Sequence, residues 1–152
     1  MTNSLRNGIV LGAGSQIANL VARSPIGEAV SDGLNAGYNL EHFVNGATQA
    51  GAFAGIALAA YGLTKKGIEK GIPIASEKTA KAGSLTSALS VAYGLAHTDI
   101  FQNALYNMSA YNHHISNSLE AIATLGIAAG IAVTGTLFVK DIYDFAASKL
   151  KR

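Results

Sequence analysis

The 152-residue chain contains no cysteine, no tryptophan and only two prolines. Without cysteine it can form neither a disulfide nor a thiolate metal site, and its redox compartment leaves no mark on the sequence. Charge is scarce as well: Asp, Glu, Lys and Arg make up 13% of the residues, against ~25% in ordinary soluble domains. A net charge of +2 gives no reason to expect nucleic acid as a partner. Catalytic patterns are missing too. Gly12-Ala13-Gly14 with Ile17 lacks the third glycine of a dinucleotide-binding turn, and no strand pattern precedes it. Ser, His and Asp occur in no spacing that makes a nucleophile elbow. The chain is therefore expected to be no enzyme and to carry no cofactor and no metal.

Glycine and uncharged runs are what the sequence has in excess. Glycine supplies 17 of 152 residues, well above the ~7% of average proteins. The mean hydropathy is only +0.28, because the surplus lies in Ala and Gly rather than in Leu, Ile and Phe. The longest apolar run, Ala121 to Val139, has Glu120 before it and Lys140 after it. As a helix it would reach ~28 Å, close to the ~30 Å hydrocarbon core of a bilayer. Three weaker uncharged stretches precede it. Asn7 to Ala22 places Leu5, Ile9, Val10, Ala13, Ile17, Leu20 and Val21 on one helical face and Gly8, Gly12, Ser15 and Asn19 on another. His42 to Thr64 is rich in Gly and Ala and stops at Lys65-Lys66, and Ala82 to Thr98 is diluted by serines and Thr86. The N-terminal run is interrupted by Gln16 and Asn19, a poor signal-peptide core, and reads as part of the mature protein.

Between these runs the pattern is amphipathic. Ser24-Pro25 is a helix start, leading into a surface helix to about Asn39. A second surface helix, capped by Thr98 or Asp99, is expected over 99–112, with Ile100, Phe101, Ala104, Leu105, Met108 and Tyr111 on one face. His113-His114 is expected to be a turn. Residues 65–81 read as a basic connection in which Pro73 forbids a continuous helix.

Lys and Arg give an orientation. Residues 65–81 hold five of them and residues 140–152 four, with none between Arg23 and Lys65 or between Lys81 and Lys140. The positive-inside rule places the 65–81 connection and the C-terminus on the cytoplasmic or an equivalent side. Tyr38, Tyr93, Tyr106 and Tyr111 then fall near the opposite boundary, as does the sequon Asn107-Met108-Ser109.

The pattern G-x-x-A-G-I-A occurs twice, at 51–57 and at 126–132. An offset of 75 residues brings these together and also matches Gly8 with Gly83, Ser15 with Ser90, Leu20 with Leu95 and Lys65 with Lys140. Eleven identities arise between positions 8 and 65, where chance would give roughly five. The chain reads as a single membrane domain, 1–152, with an internal duplication of 6–66 in 81–141. Glycines four residues apart recur at 8/12, 33/37, 51/55, 67/71 and 126/130. In lipid such strips let helix backbones approach, which makes Gly8, Gly12, Gly51, Gly55, Gly126 and Gly130 the candidate packing residues.

The remaining titratable groups have bland readings. His97, His113, His114 and Asp99 lie close in sequence but lack ligand spacing and read as hydrated loop residues. Glu41 and Glu120 precede the two strong runs and read as first-turn acids favoured by the helix dipole. The expected fold is an all-α integral membrane bundle of three to four short transmembrane helices with interfacial helices. Its expected partners are the lipid bilayer and other transmembrane helices, and its expected role is a structural or assembly subunit. A pore-forming oligomer is the first alternative and a soluble helical interaction module the second.

Overall fold

Pro73 sets the main break in an otherwise helical chain, because it lacks an N–H and its ring clashes with the preceding turn. The computed structural model of the protein describes residues 3–25, 37–107 and 113–150. These hold five helices, α1 (Asn3–Ala22), α2 (Gly37–Gly71), α3 (Glu77–Ala96), α4 (Asp99–Asn107) and α5 (His113–Leu150), and no strand among the described residues.

Local chemistry explains each terminus. α1 closes where the Ser24 hydroxyl donates to the Val21 carbonyl at 2.6 Å, just before Pro25. Ser76 caps α3 from an extended backbone at φ −70 and ψ 163, its hydroxyl accepting from the Thr79 N–H at 3.3 Å. Thr98 caps α4 by accepting from the Phe101 N–H at 3.3 Å, one of the two caps expected from sequence.

The helices form an open row. α1 packs on α2, α2 on α3, and α3 on α5, while α4 lies across α2 and touches α3 slightly. Phe53 and Phe101 seat α4 on α2 edge to face, with ring centres 5.3 Å apart. Neighbours in the row run antiparallel. Thus Gly8 lies by Ala59 and Arg23 by Asn45, Thr64 by Ser87 and Ile68 by Gly83, Thr79 by Asp141 and Gly130 by Thr86. Among the described residues α1 packs only on α2, and α5 only on α3.

The row has almost no apolar interior. Ala80 is the one buried hydrophobic residue among those described, joined by Thr79 and Ser84. Large apolar side chains point outward instead: Ile9, Val10, Ile17 and Leu20 on α1, and Ile122, Leu125, Ile131 and Val139 on α5. The chain exposes 9766 Å², about a third more than the ~7,200 Å² expected of a folded soluble monomer of this mass.

Several boundaries differ from the sequence reading. The basic connection is far shorter than 65–81. α2 continues through Lys65, Lys66, Glu69 and Lys70 to Gly71, and only 72–76 is non-helical. Lys and Glu are good helix formers, and the Lys65–Glu69 pair at 3.6 Å supports the last turns of α2. His113-His114 is no turn but the start of α5, which at 38 residues reaches ~57 Å. Only one described helix, Glu120 to Leu150, is long and apolar enough to cross a membrane. The Gly, Ala, Ser and Thr content of α1 to α3 keeps them below that mark. The surface helix expected after Ser24-Pro25 falls mostly outside the described residues, as do Met108 and Tyr111.

Register is the larger surprise. Gly8 sits level with Gly55 to Ala59 on α2, whereas Gly83 sits level with Ile68. The α3–α5 pair is therefore displaced along the helix axes by about eleven residues, or ~16 Å, relative to α1–α2. Lys65 consequently lies level, across α3, with the middle of the α5 apolar run. With interaxial spacings of 8–10 Å, a common tilt of about 40° brings all four uncharged runs level with one another.

Candidate functional site

Glycines make the closest contacts in the row. A Cβ built on Gly55 would lie 2.6 Å from the Gly12 nitrogen, 2.7 Å from the Gly8 oxygen and 2.8 Å from the Gly12 Cα. One built on Gly8 would meet the Ala59 nitrogen at 2.5 Å and the Gly55 oxygen at 2.6 Å. Here backbone touches backbone, and only glycine fits. Gly51 lies under the Ser15 side chain, and Gly12 itself has room, with the nearest atom 4.0 Å away.

The α3–α5 contact is looser. Gly130 faces the Thr86 side chain, whose Cβ would be 3.2 Å from a new Cβ, and Gly126 faces Leu89 Cδ1 at 3.5 Å. Thr86 turns its hydroxyl to the Ala82 carbonyl at 3.0 Å, satisfying that polar atom within its own helix. Gly83 lies between Ile68 and Thr134. Gly67 and Gly71 have nothing within 4 Å, and Gly33 lies outside the described residues. The six glycines singled out from sequence thus occupy two interfaces, Gly8, Gly12, Gly51 and Gly55 in α1–α2 and Gly126 and Gly130 in α3–α5. Gly62, which looks free in sequence because it lies outside the repeated pattern, is buried.

Some contacts recur at the 75-residue offset and others do not: Gly55 meets Gly8 and Gly12, whereas the nearest neighbour of Gly130 is Thr86 and neither Gly83 nor Ser87. Gly8 meets Ala59, and Gly83 meets Thr134, both partners displaced by 75 residues. Lys65 pairs with Glu69 at 3.6 Å, and Lys140 pairs with Asp144 at 2.6 Å, again at the same offset. Asn45 Oδ1 accepts from Arg23, one residue past α1, at 2.8 Å, and its counterpart Glu120 accepts from Tyr93 on α3 at 3.5 Å, although those two donors are not themselves counterparts.

Each end of the row carries a polar cluster. At the α2–α3 turn, Asp141 Oδ2 accepts from the Ser76 N–H at 2.7 Å and from the Thr79 hydroxyl at 2.6 Å. The Ser76 amide and the Thr79 hydroxyl hold the carboxyl below its ordinary range, as expected of a carboxylate at a helix N-terminus. Sequence reading missed this clasp. Ser76-Glu77 after Pro73 does signal a cap, but nothing in the sequence joins it to a residue 65 positions away.

At the other end, His97 Nδ1 donates to the Tyr93 carbonyl at 2.8 Å, and its Nε2 lies 3.6 Å from Glu120 Oε1. The backbone bond to Tyr93, followed by Glu120, raises the imidazole above its ordinary value. A group raised on folding adds stability below its unfolded value, and that stability is lost as pH climbs through the folded one. Glu120→Gln should lower the His97 midpoint only in part, because the Tyr93 carbonyl remains. An NMR titration of His97 in micelles reads this, and an unchanged midpoint would mean the two groups do not interact.

Among the described residues no three His, Asp or Glu side chains gather as a metal site. His97 lies with Glu120, and the side chains of His42, His113, His114 and Glu41 lie outside the described set. An open groove of about 590 Å³ runs between α1 and α2 past Val10, Leu11, Ala18, Val44 and Ala47, and no titratable group lines it. No protein-family model matches the chain, no characterised protein matches it in sequence, and no solved structure matches it in fold.

Proposed function

We propose that this is a small non-enzymatic integral membrane protein, built of two tandem helical units, that acts by helix packing as a structural or assembly subunit. The observation that carries this reading is its inverted amphipathicity. On α1 the small residues Gly8, Gly12 and Ser15 face α2, while Ile9, Ile17 and Leu20 face outward. On α5, Gly126 and Gly130 face α3, while Ile122, Leu125 and Ile131 face outward. A soluble bundle does the opposite, since burial of apolar surface is its main driving force. In lipid that drive is absent between helices, and close backbone approach with van der Waals contact takes its place. The uncharged runs, bounded by Lys65-Lys66 and by Lys140, are where lipid would lie.

The experiment is an alkaline carbonate wash of membranes from expressing cells. The full chain should stay with the pellet, and release into the wash would favour a soluble module. Orientation follows from the basic ends: Lys70, Lys78, Lys81, Lys140 and Lys149 lie at the end of the row that holds the 72–76 turn. Single cysteines introduced at Ser76 and Leu150 are expected to react with an impermeant reagent from one and the same side. Labelling from opposite sides would overturn the topology.

A further inference from the structure

We propose that a second copy of this chain docks its α1 on the outer face of α5, repeating between molecules the contact that α2 makes with α3 within one. The inference rests on the two-unit reading above. At the 75-residue offset α2 corresponds to α5, and α1 to α3. Inside the chain the back of α2 is covered by the front of α3: Thr64 donates to Ser87 at 2.9 Å, and Ile68 Cδ1 lies over Gly83. The counterparts of Thr64 and Ile68 are Val139 and Tyr143, which are 66% and 72% exposed. The counterparts of Ser84 and Leu95, buried and half-buried on α3, are Ile9 and Leu20, 52% and 70% exposed on α1. The same two faces, covered once in the middle of the row, stand bare at its two edges.

The bare faces are also more apolar than the covered pair. Val139 replaces Thr64, Gly12 replaces Ser87 and Ile9 replaces Ser84, which removes three hydroxyls, while Tyr143 in place of Ile68 adds one at the rim. Val139 would oppose the rim of the α1–α2 contact at half-buried Gly12, where a first side-chain carbon would have no atom nearer than 4.0 Å, beside exposed Ile9. This contact joins unlike faces, so each copy leaves one free edge at either end. Heterologous contacts of this kind continue until a ring closes or a row extends. The axial displacement between the units would recur with each copy, so one common tilt keeps every copy in the same slab.

Disulfide trapping in the full chain tests this cleanly, because the protein has no cysteine of its own. A chain carrying Gly12→Cys and Val139→Cys, oxidised in membranes, should run as a ladder of dimers, trimers and larger species. Co-expression of the two single variants under different tags should give a mixed dimer in preference to either like pair. Ile9→Cys with Val139→Cys repeats the test should a side chain at Gly12 prove harmful. Thr64→Cys with Ser87→Cys should close within one chain and stay monomeric. A dominant Val139–Val139 dimer, or no product between copies while the Thr64–Ser87 disulfide forms, would overturn the proposal. Failure of the Thr64–Ser87 disulfide would remove the contact being copied and overturn it as well. The carbonate wash separates the two readings, since a chain that is washed off yet still ladders has lost its membrane location and kept its self-association.

Discussion

Replacing Gly55 with leucine is expected to release α1 from α2. The first carbon of any side chain there would sit within 2.8 Å of backbone atoms of both Gly8 and Gly12, and backbone cannot rotate aside. Overpacking costs about 1–3 kcal/mol where flexible side chains absorb it, so this position belongs at or above the upper end. A shift of that size is roughly 5- to 150-fold in a packing equilibrium. Nothing else holds the helix, because α1 packs on α2 alone among the described elements. The readout is the intrachain disulfide of a Ser15→Cys, Gly51→Cys chain, because a Cβ on Gly51 would lie 3.3 Å from the Ser15 Cβ, close to the ~3.5–4.5 Å that a disulfide spans. Gly55→Leu should abolish it, and Gly14→Leu, with nothing within 4 Å, should leave it intact.

Gly130→Leu should do less, because what it meets is the Thr86 side chain rather than backbone. Gly130→Ala should be eased by Thr86→Ala, which removes the hydroxyl and methyl and leaves only the Cβ contact at 3.2 Å. A double-mutant cycle measures that coupling. Equal responses at 14, 55 and 130 would mean the glycine contacts do not hold the row together.

Periodicity placed the helices because a 3.6-residue repeat and a cap are local signals. Thr98, Pro73 and the 121–139 run are each legible without a partner. The packing strip on α1 was legible too, since Gly8, Gly12, Ser15 and Asn19 fall on one face by spacing alone. The length of the connection is not legible from charge, because Lys65, Glu69 and Lys70 are polar yet favour helix as long as no proline intervenes. The displacement between the halves could not be read at all. An uncharged run shows that its residues share an environment, but not which residue of the next helix lies beside each of them. That register is set by contacts such as Ile68 over Gly83, between residues with no special mark in the sequence. Gly62 shows the same limit, since its burial depends on neighbours and not on a motif.

Asp141→Asn is expected to detach the C-terminal part of α5 from the α2–α3 turn. The carboxylate is the shared acceptor of the Ser76 N–H and the Thr79 hydroxyl, and it faces the positive end of the α3 dipole. An amide keeps the shape but loses the charge, and either its nitrogen faces two donors or its weaker oxygen must serve both. Because folding lowers the carboxyl's pKa, its contribution is present above the unfolded value and is lost as pH falls through the folded one. The wild-type chain in micelles should therefore lose thermal stability as the solution is acidified below the ordinary aspartate range. Asp141→Asn should begin less stable at neutral pH and show a shallower acid loss. Asp144→Asn is the control, because Asp144 pairs with exposed Lys140 on its own helix, and such pairs contribute little. An Asp141→Asn chain with the wild-type acid profile would show that the clasp does not hold the two helices together.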